Sequence, residues 1–304
     1  MNQHTSHPPF SLHSRLLLDS RCELGEGPVW NHLDHTLYWV DIELGLIHRL
    51  DPSMNIHKTI PAGQKIAAVV PTTDGDLLLA LKDGLYIYNV RTTQKTLFLN
   101  NPENHTSGNR FNDSKCDPTG RFWIGTMGDE HTAALYRLDP DLTLHTMQTG
   151  VTTSNGLAWS LDKKILYYID TDTRKVVAYN YDQDEGSISD GRDVITIPNE
   201  MGLPDGCTID AEGMLWIALW GGYAVGRWNP ANGELLCKIE VPAKQVTSCT
   251  FGGEALDTLY ITTARRQLSE EELLKYPHSG GLFECKPGVK GLKADFFKNK
   301  SSIF

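Results

Sequence analysis

LYWVDI (37–42), LLLAL (77–81), FWIGT (122–126), LYYID (166–170), LWIAL (215–219) and LYITT (259–263) are one short apolar segment written six times along the chain. The copies are spaced 40 to 49 residues apart. A turn rich in Asp, Gly and Lys precedes each: LDHT, TDGD, DPTG, LDKK, DAEG, GEALD. Such residues supply the positive φ angles and local side-chain caps that hairpins need. A second strand follows each copy: GLIHRLDP (45–52), GLYIYNV (84–90), AALYRLDP (133–140), KVVAYNYD (175–182), YAVGRWNP (223–230) and GGLFECKP (280–287). Repeats of this length, dense in Val, Ile, Tyr and Trp, predict four-stranded antiparallel units. The expected fold is therefore all-β: a six-bladed β-propeller of four-stranded antiparallel blades. No 3.6-residue apolar face lies between the strands, which excludes a βαβ arrangement. Trp39, Trp123 and Trp216 fall inside the repeats and are expected to pack between blades.

The remaining chain fits one closed ring. Residues 1–13, MNQHTSHPPFSLH, are polar, lack a basic start and an apolar run, and predict a disordered tail before a single domain over 14–304. LLLDS (16–20) and KADFF (293–297) both read as strands able to complete the last blade. ARRQLSEEELLKYPHS (264–279) interrupts the last repeat, and within it SEEELLKY predicts a short helix capped by Ser269. A net charge of −10 argues against nucleic acid and anionic membrane as partners, and no stretch approaches a membrane span. The six cysteines are scattered without a CxxC pair, which predicts reduced, buried thiols and a cytoplasmic location. The oligomeric state stays open.

About eleven residues before each repeat lies the start of the expected innermost strand: Glu26, Ile66, Asn112, Asn155, Asp205 and Ser248. In a propeller these equivalent positions converge around one axis. Four of them carry Glu, Asn, Asn and Asp, an all-oxygen set suited to a hard divalent cation such as Ca²⁺, Mg²⁺ or Mn²⁺. The competing reading is that Asn155-Gly156 and Asp205-Gly206 are ordinary turn dipeptides. Chain direction puts the loops 43–45, 127–132, 170–174, 220–222 and 264–279 on the face where these strands begin. Glu130, Trp220 and Arg265 are thereby expected at the mouth, the insertion is placed to act as a lid, and Arg110 points to the same side as Asn112. GxSxG, HExxH and GxGxxG signatures are absent.

GEGPVW, NRFNDSKCDPTGRFWIGTM, TSNGLAWSLDKKILYYIDT, LPDGCTIDAEGMLWIA and LYITTAR…SGGLF, in this order, resemble the regucalcin/gluconolactonase family of sugar lactonases over roughly residues 14 to 297. The resemblance implies one divalent metal ion on Glu26, Asn155 and Asp205, with calcium first and zinc, manganese, magnesium or iron as alternatives. It implies Arg110, Asn112 and Glu130 as contacts to the sugar. Ser114 stands where the family has Gly, beyond the implied ligands. The expected reaction is opening of a sugar lactone to the aldonic acid by a metal-polarised carbonyl and a metal-activated water, with Asp205 as general base. The alternatives are a metal-dependent phosphotriesterase or esterase, and a non-catalytic calcium-binding or scaffold propeller.

Overall fold

The structure, a computed structural model, describes residues 10–105 and 108–299. It is all-β and built from repeated four-stranded antiparallel sheets. The first is Gly25–Asn31, Thr36–Asp41, Leu46–Asp51 and Ile56–Pro61. The second is Ile66–Pro71, Leu77–Leu81, Gly84–Tyr88 and Lys95–Asn100. Arg110–Cys116, Phe122–Met127, Ala133–Leu138 and Leu144–Val151 make the third. Ser154–Trp159, Ile165–Asp170, Lys175–Asp182 and Ser187–Thr196 make the fourth.

A nine-stranded sheet holds the rest. One half is Leu203–Ile209, Leu215–Trp220, Ala224–Asn229 and Glu234–Glu240; the other is Gln245–Gly252, Thr258–Ala264, Leu282–Cys285 and Arg15–Leu18. A single residue pair, Trp220 with Gln245, joins the halves. The first strand of every unit touches the first strand of the next, and Gln245–Gly252 returns to Gly25–Asn31, so the first strands close a circle.

Burial explains the strand types. Second strands such as TLYWVD and LLLAL are buried throughout because neighbouring sheets cover both faces, so apolar residues run continuously instead of alternating. Fourth strands such as Leu144–Val151 lie at the rim and are largely open. Trp39, Trp123 and Trp216 are at most 1% exposed. Trp123 meets Trp159 and Tyr181 of the next sheet edge to face, and Trp216 meets Phe251 in the same way. All six cysteines are buried and unpaired. No helix among the described residues is long and apolar enough to cross a membrane.

Two expectations about the ends are corrected. Part of the expected tail, Phe10–His13, is a strand: it adds in parallel to Glu234–Glu240, whose edge would otherwise leave backbone donors and acceptors unpaired. Residues 1–9 of that tail lie outside the described residues. At the ring closure, Arg15–Leu18 pairs antiparallel with Leu282–Cys285. The KADFF segment forms no strand; it crosses beneath the sheets, with one bridge from Phe297 to Thr72 and Phe296 stacked on His32. The insertion carries the expected helix, Glu270–Lys275, with Ser269 and Glu272 forming a reciprocal capping box.

Candidate functional site

Every first strand slips register with its neighbour at the same depth. The slips fall between Glu26 and Val29, Ile66 and Ala68, Phe111 and Ser114, Asn155 and Leu157, Pro204 and Cys207, and Val246 and Ser248. A bulge of this kind bends the strand and re-aims its side chains. It also accounts for the glycines. Gly27 has φ +55°. A Cβ on Gly156 would lie 2.8 Å from Cys207 Sγ and 2.9 Å from the Asp205 carbonyl, and one on Gly206 would lie 2.2 Å from Ser248 Oγ. Asn155-Gly156 and Asp205-Gly206 are thus bulge pairs inside strands, where first strands crowd together, and not hairpin turns.

The bulges assemble a connected polar group. Arg110 Nη1 donates to Asn112 Oδ1 (2.8 Å), and Asn112 Nδ2 donates to Asn155 Oδ1 (3.0 Å) and to the Ser154 carbonyl (2.8 Å). Asn155 Nδ2 donates to Thr171 Oγ1 (2.7 Å), which donates to the Pro204 carbonyl (2.7 Å). The polarity of this chain is forced. A carbonyl can only accept, so the Thr171 hydroxyl gives it its proton and receives from Asn155. The Asn155 amide nitrogen therefore faces Thr171, and its oxygen is turned to the other side.

Glu26 and Asp205 are each 7% exposed. Burial raises the pKa of both; Asp113 adds to the rise at Glu26, and Glu26 followed by Asp113 adds to it at Asp205. Arg110 opposes these shifts. Its own guanidinium is depressed to about 10 by burial and by Arg266, against the pull of Glu43, Glu26 and Asp205. Among the described residues no three His, Cys, Asp or Glu side chains come together as a metal cluster. A cation here would rest on two carboxylates and the Asn155 amide oxygen. That donor set fits a hard divalent ion: it is all oxygen, and the ion's charge would offset the burial and the neighbouring negative charge that push both carboxyls toward protonation.

Glu26, Arg110, Asn112, Asn155 and Asp205 are thus gathered in one group, while Glu130 is not. Its side chain is 85% exposed, and its ion-pair partner is His131 at 3.6 Å. Its loop is still tied to the group, because Asn109, next to Arg110, donates to Glu103 Oε2 (2.9 Å) and to the Thr132 carbonyl (3.1 Å). The expected Arg265 gives its backbone N–H to the Cys22 and Glu23 carbonyls. Arg266 instead pairs with Glu43 at 2.7 Å, and Glu43 also takes Lys65. Trp220 packs, partly buried, against the core of the first two sheets. The helix of the insertion is held by Lys244 on Glu272 and by Tyr223 against Tyr276, 5.1 Å between ring centres.

Sequence reasoning missed Asp113 and Thr171. Strict alternation sends Asn112 and Asp113 to opposite faces, and only the bulge lets both serve the channel. Past the ring, a cavity of about 150 Å³ continues toward the opposite face, lined by Asp113, Lys115 and Ser248 among others and flanked by Leu292–Asp295.

The family described as the SMP-30/Gluconolactonase/LRE-like region matches residues 24–265. Over 251 residues the chain is 39% identical to pentonolactonase XacC of Haloferax volcanii, covering 82% of this chain and 84% of that one. Over 291 residues it is 36% identical to regucalcin of Homo sapiens, covering 93% and 97%. It superposes with a TM-score of 0.91 and 28% identity on the crystal structure of a calcium-binding protein, regucalcin, from Agrobacterium tumefaciens, over 96% of this chain and 99% of that one.

Proposed function

We propose that this chain, which belongs to the SMP-30/gluconolactonase/LRE-like family and is a lactonase, opens a sugar lactone to the aldonic acid with one divalent cation on Glu26, Asn155 and Asp205. The observation that carries the site is the Asn155 oxygen, presented by a hydrogen-bond chain of fixed polarity in the same polar group as two buried carboxyls, Glu26 and Asp205. Calcium is the first candidate ion, supported by the all-oxygen donors and by the calcium-binding description of the Agrobacterium neighbour.

When bound, the cation supplies Lewis-acid chemistry at the lactone carbonyl and lowers the pKa of a water. Asp205 takes the proton of the attacking water on a carboxylate oxygen. Arg110 and Asn112, already bonded to one another, hold the sugar hydroxyls, and Glu130 reaches the sugar from its exposed loop. Positioning of this kind turns an encounter into an oriented attack. The four separate sheets and the two halves of the nine-stranded sheet are read as six blades, with the site at the mouth of their common channel. The cytoplasm is the proposed location, in keeping with six unpaired, buried thiols.

The test is acid release from a panel of aldonolactones, followed by a pH indicator with and without chelator. Wild-type turnover should vanish with chelator and return with added divalent ion. Asp205→Ala should lower kcat by about 10²–10⁴-fold with native circular dichroism. A variant that keeps wild-type turnover would overturn the assignment.

A further inference from the structure

The resemblance gives Thr171 no role as a ligand or sugar contact, yet its hydroxyl lies between Asn155 and the residue before Asp205. It is the first residue of a short 3-10 turn, Thr171–Thr173, after the second strand of the fourth sheet, and it is buried. Its hydroxyl bridges Asn155 Nδ2 and the carbonyl of Pro204, the residue before Asp205, at 2.7 Å on each side. The turn itself is held: Arg174, in the left-handed region at φ 60°, donates its N–H to the Thr171 carbonyl. The Thr171 N–H donates in turn to the Thr153 carbonyl (3.0 Å).

We infer that Thr171 is a positioning residue that holds the nitrogen end of the Asn155 amide and couples it to the Asp205 strand, so that the divalent-cation site is preformed. This rests on the proposed metal reading. An asparagine amide can rotate by half a turn at little steric cost, and the flipped form would present NH₂ instead of oxygen to a cation. Asn112, locked between the Arg110 guanidinium and the Ser154 carbonyl, donates to the oxygen end of Asn155. The Thr171 hydroxyl fixes the nitrogen end, because its own proton is committed to a carbonyl that cannot donate, and it alone ties Asn155 to the strand that carries Asp205. Groups that orient a ligand in this way typically change metal affinity by ~10–100-fold when removed.

Thr171→Val keeps the shape and removes the hydroxyl; Thr171→Ser restores the hydroxyl without the methyl. Binding of Ca²⁺ alone is measured by calorimetry, with Tb³⁺ luminescence as a second probe, and melting of the ion-free proteins is recorded in parallel. The expected result is a loss of at least tenfold in affinity for the Val variant, with the Ser variant within about threefold of wild type. Equal affinity in Val and wild type overturns the inference while leaving the metal reading intact. Saturable binding by neither wild type nor variants overturns the metal reading itself. A melting shift as large in Ser as in Val, with affinity falling equally in both, would make Thr171 a packing residue and also overturn the inference. In the ion-free state, the Asn155 side-chain amide protons should exchange slowly in wild type and rapidly in Val. Equal exchange rates would contradict the hydrogen bond on which the inference stands.

Discussion

Asn112 is engaged at both ends of its amide, receiving Arg110 at its oxygen and giving its protons to Asn155 and to the Ser154 carbonyl. Asn155 therefore has two neighbours, Asn112 and Thr171, and they do different work. Thr171 holds the nitrogen end of the amide and ties it to the Pro204 carbonyl, whereas Asn112 holds the oxygen end and joins it to the Arg110 guanidinium. Replacing Asn112 with Ala should leave the ion in place, since Thr171 still orients Asn155. Loss of the one hydrogen bond that the Asn112 oxygen can still accept from a sugar hydroxyl should lower kcat/KM about ten- to hundredfold. Metal content of purified Asn112→Ala by mass spectrometry, beside its kinetics, checks this. Loss of the ion together with activity would place Asn112 among the ligands.

Two of the turns that precede a second strand, DPTG and DAEG, carry the same device. In DPTG, Asp117 Oδ1 accepts from Thr119 N (2.9 Å), Thr119 Oγ1 (2.7 Å) and Arg121 N (3.0 Å). Its Oδ2 accepts from Trp123 Nε1 (3.1 Å) and from Tyr181 of the next sheet (2.7 Å). In DAEG, Asp210 repeats this with Glu212 N, Met214 N and Trp216 Nε1, each at 2.9 Å, and with Arg227 Nε at 2.8 Å. One carboxylate thus closes the hairpin and anchors the tryptophan that packs between sheets. Burial alone would raise the Asp117 pKa, but the donors outweigh it and hold the carboxyl below its ordinary value. A carboxyl depressed in the folded state stabilises the protein above its unfolded pKa, and that contribution is lost as pH falls through the folded value. Melts from neutral pH downward should show wild type losing stability below about pH 4. Asp117→Asn should be less stable by about 1–3 kcal/mol at pH 7 and show a shallower acid limb. Parallel profiles for the two proteins would remove Asp117 from the acid response.

At the scale of the whole molecule, the ring is closed by a strand from the opposite end of the chain. Arg15, Leu16 and Leu18 pair with Glu284, Phe283 and Leu282, and Arg15 forms an ion pair with Glu284 at 2.5 Å. Leu16 also packs against the core shared by the last two units. Deleting residues 1–18 would strip Leu282–Cys285 of its outer neighbour and expose an unpaired edge. The melting temperature should fall by at least ~5 °C in scanning calorimetry, and the shortened protein should aggregate at concentrations where the full chain stays monodisperse. An unchanged melting temperature would mean that the contact closes the ring without stabilising it.

Much of this protein is written locally and was legible as such. The six apolar segments, their Asp- and Gly-rich turns and the Ser269 helix cap each depend on residues a few positions apart, so periodicity and turn chemistry suffice to read them. The repeat spacing also placed Glu26, Asn112, Asn155 and Asp205 in register, since equal spacing in equal units means equal depth on the axis. What decided the rest is long-range. The sequence made LLLDS and KADFF equal candidates for closure, and only the tertiary structure pairs Arg15–Leu18 with Leu282–Cys285. The parallel docking of Phe10–His13 depends on an edge more than two hundred residues away in the chain. The bulges that bring Asp113 into the channel and the turn that sets Thr171 between Asn155 and Pro204 break the alternation on which any strand-by-strand reading relies. A pattern along one strand reports which face is buried; it carries no information about which atom of a neighbouring strand that face will meet.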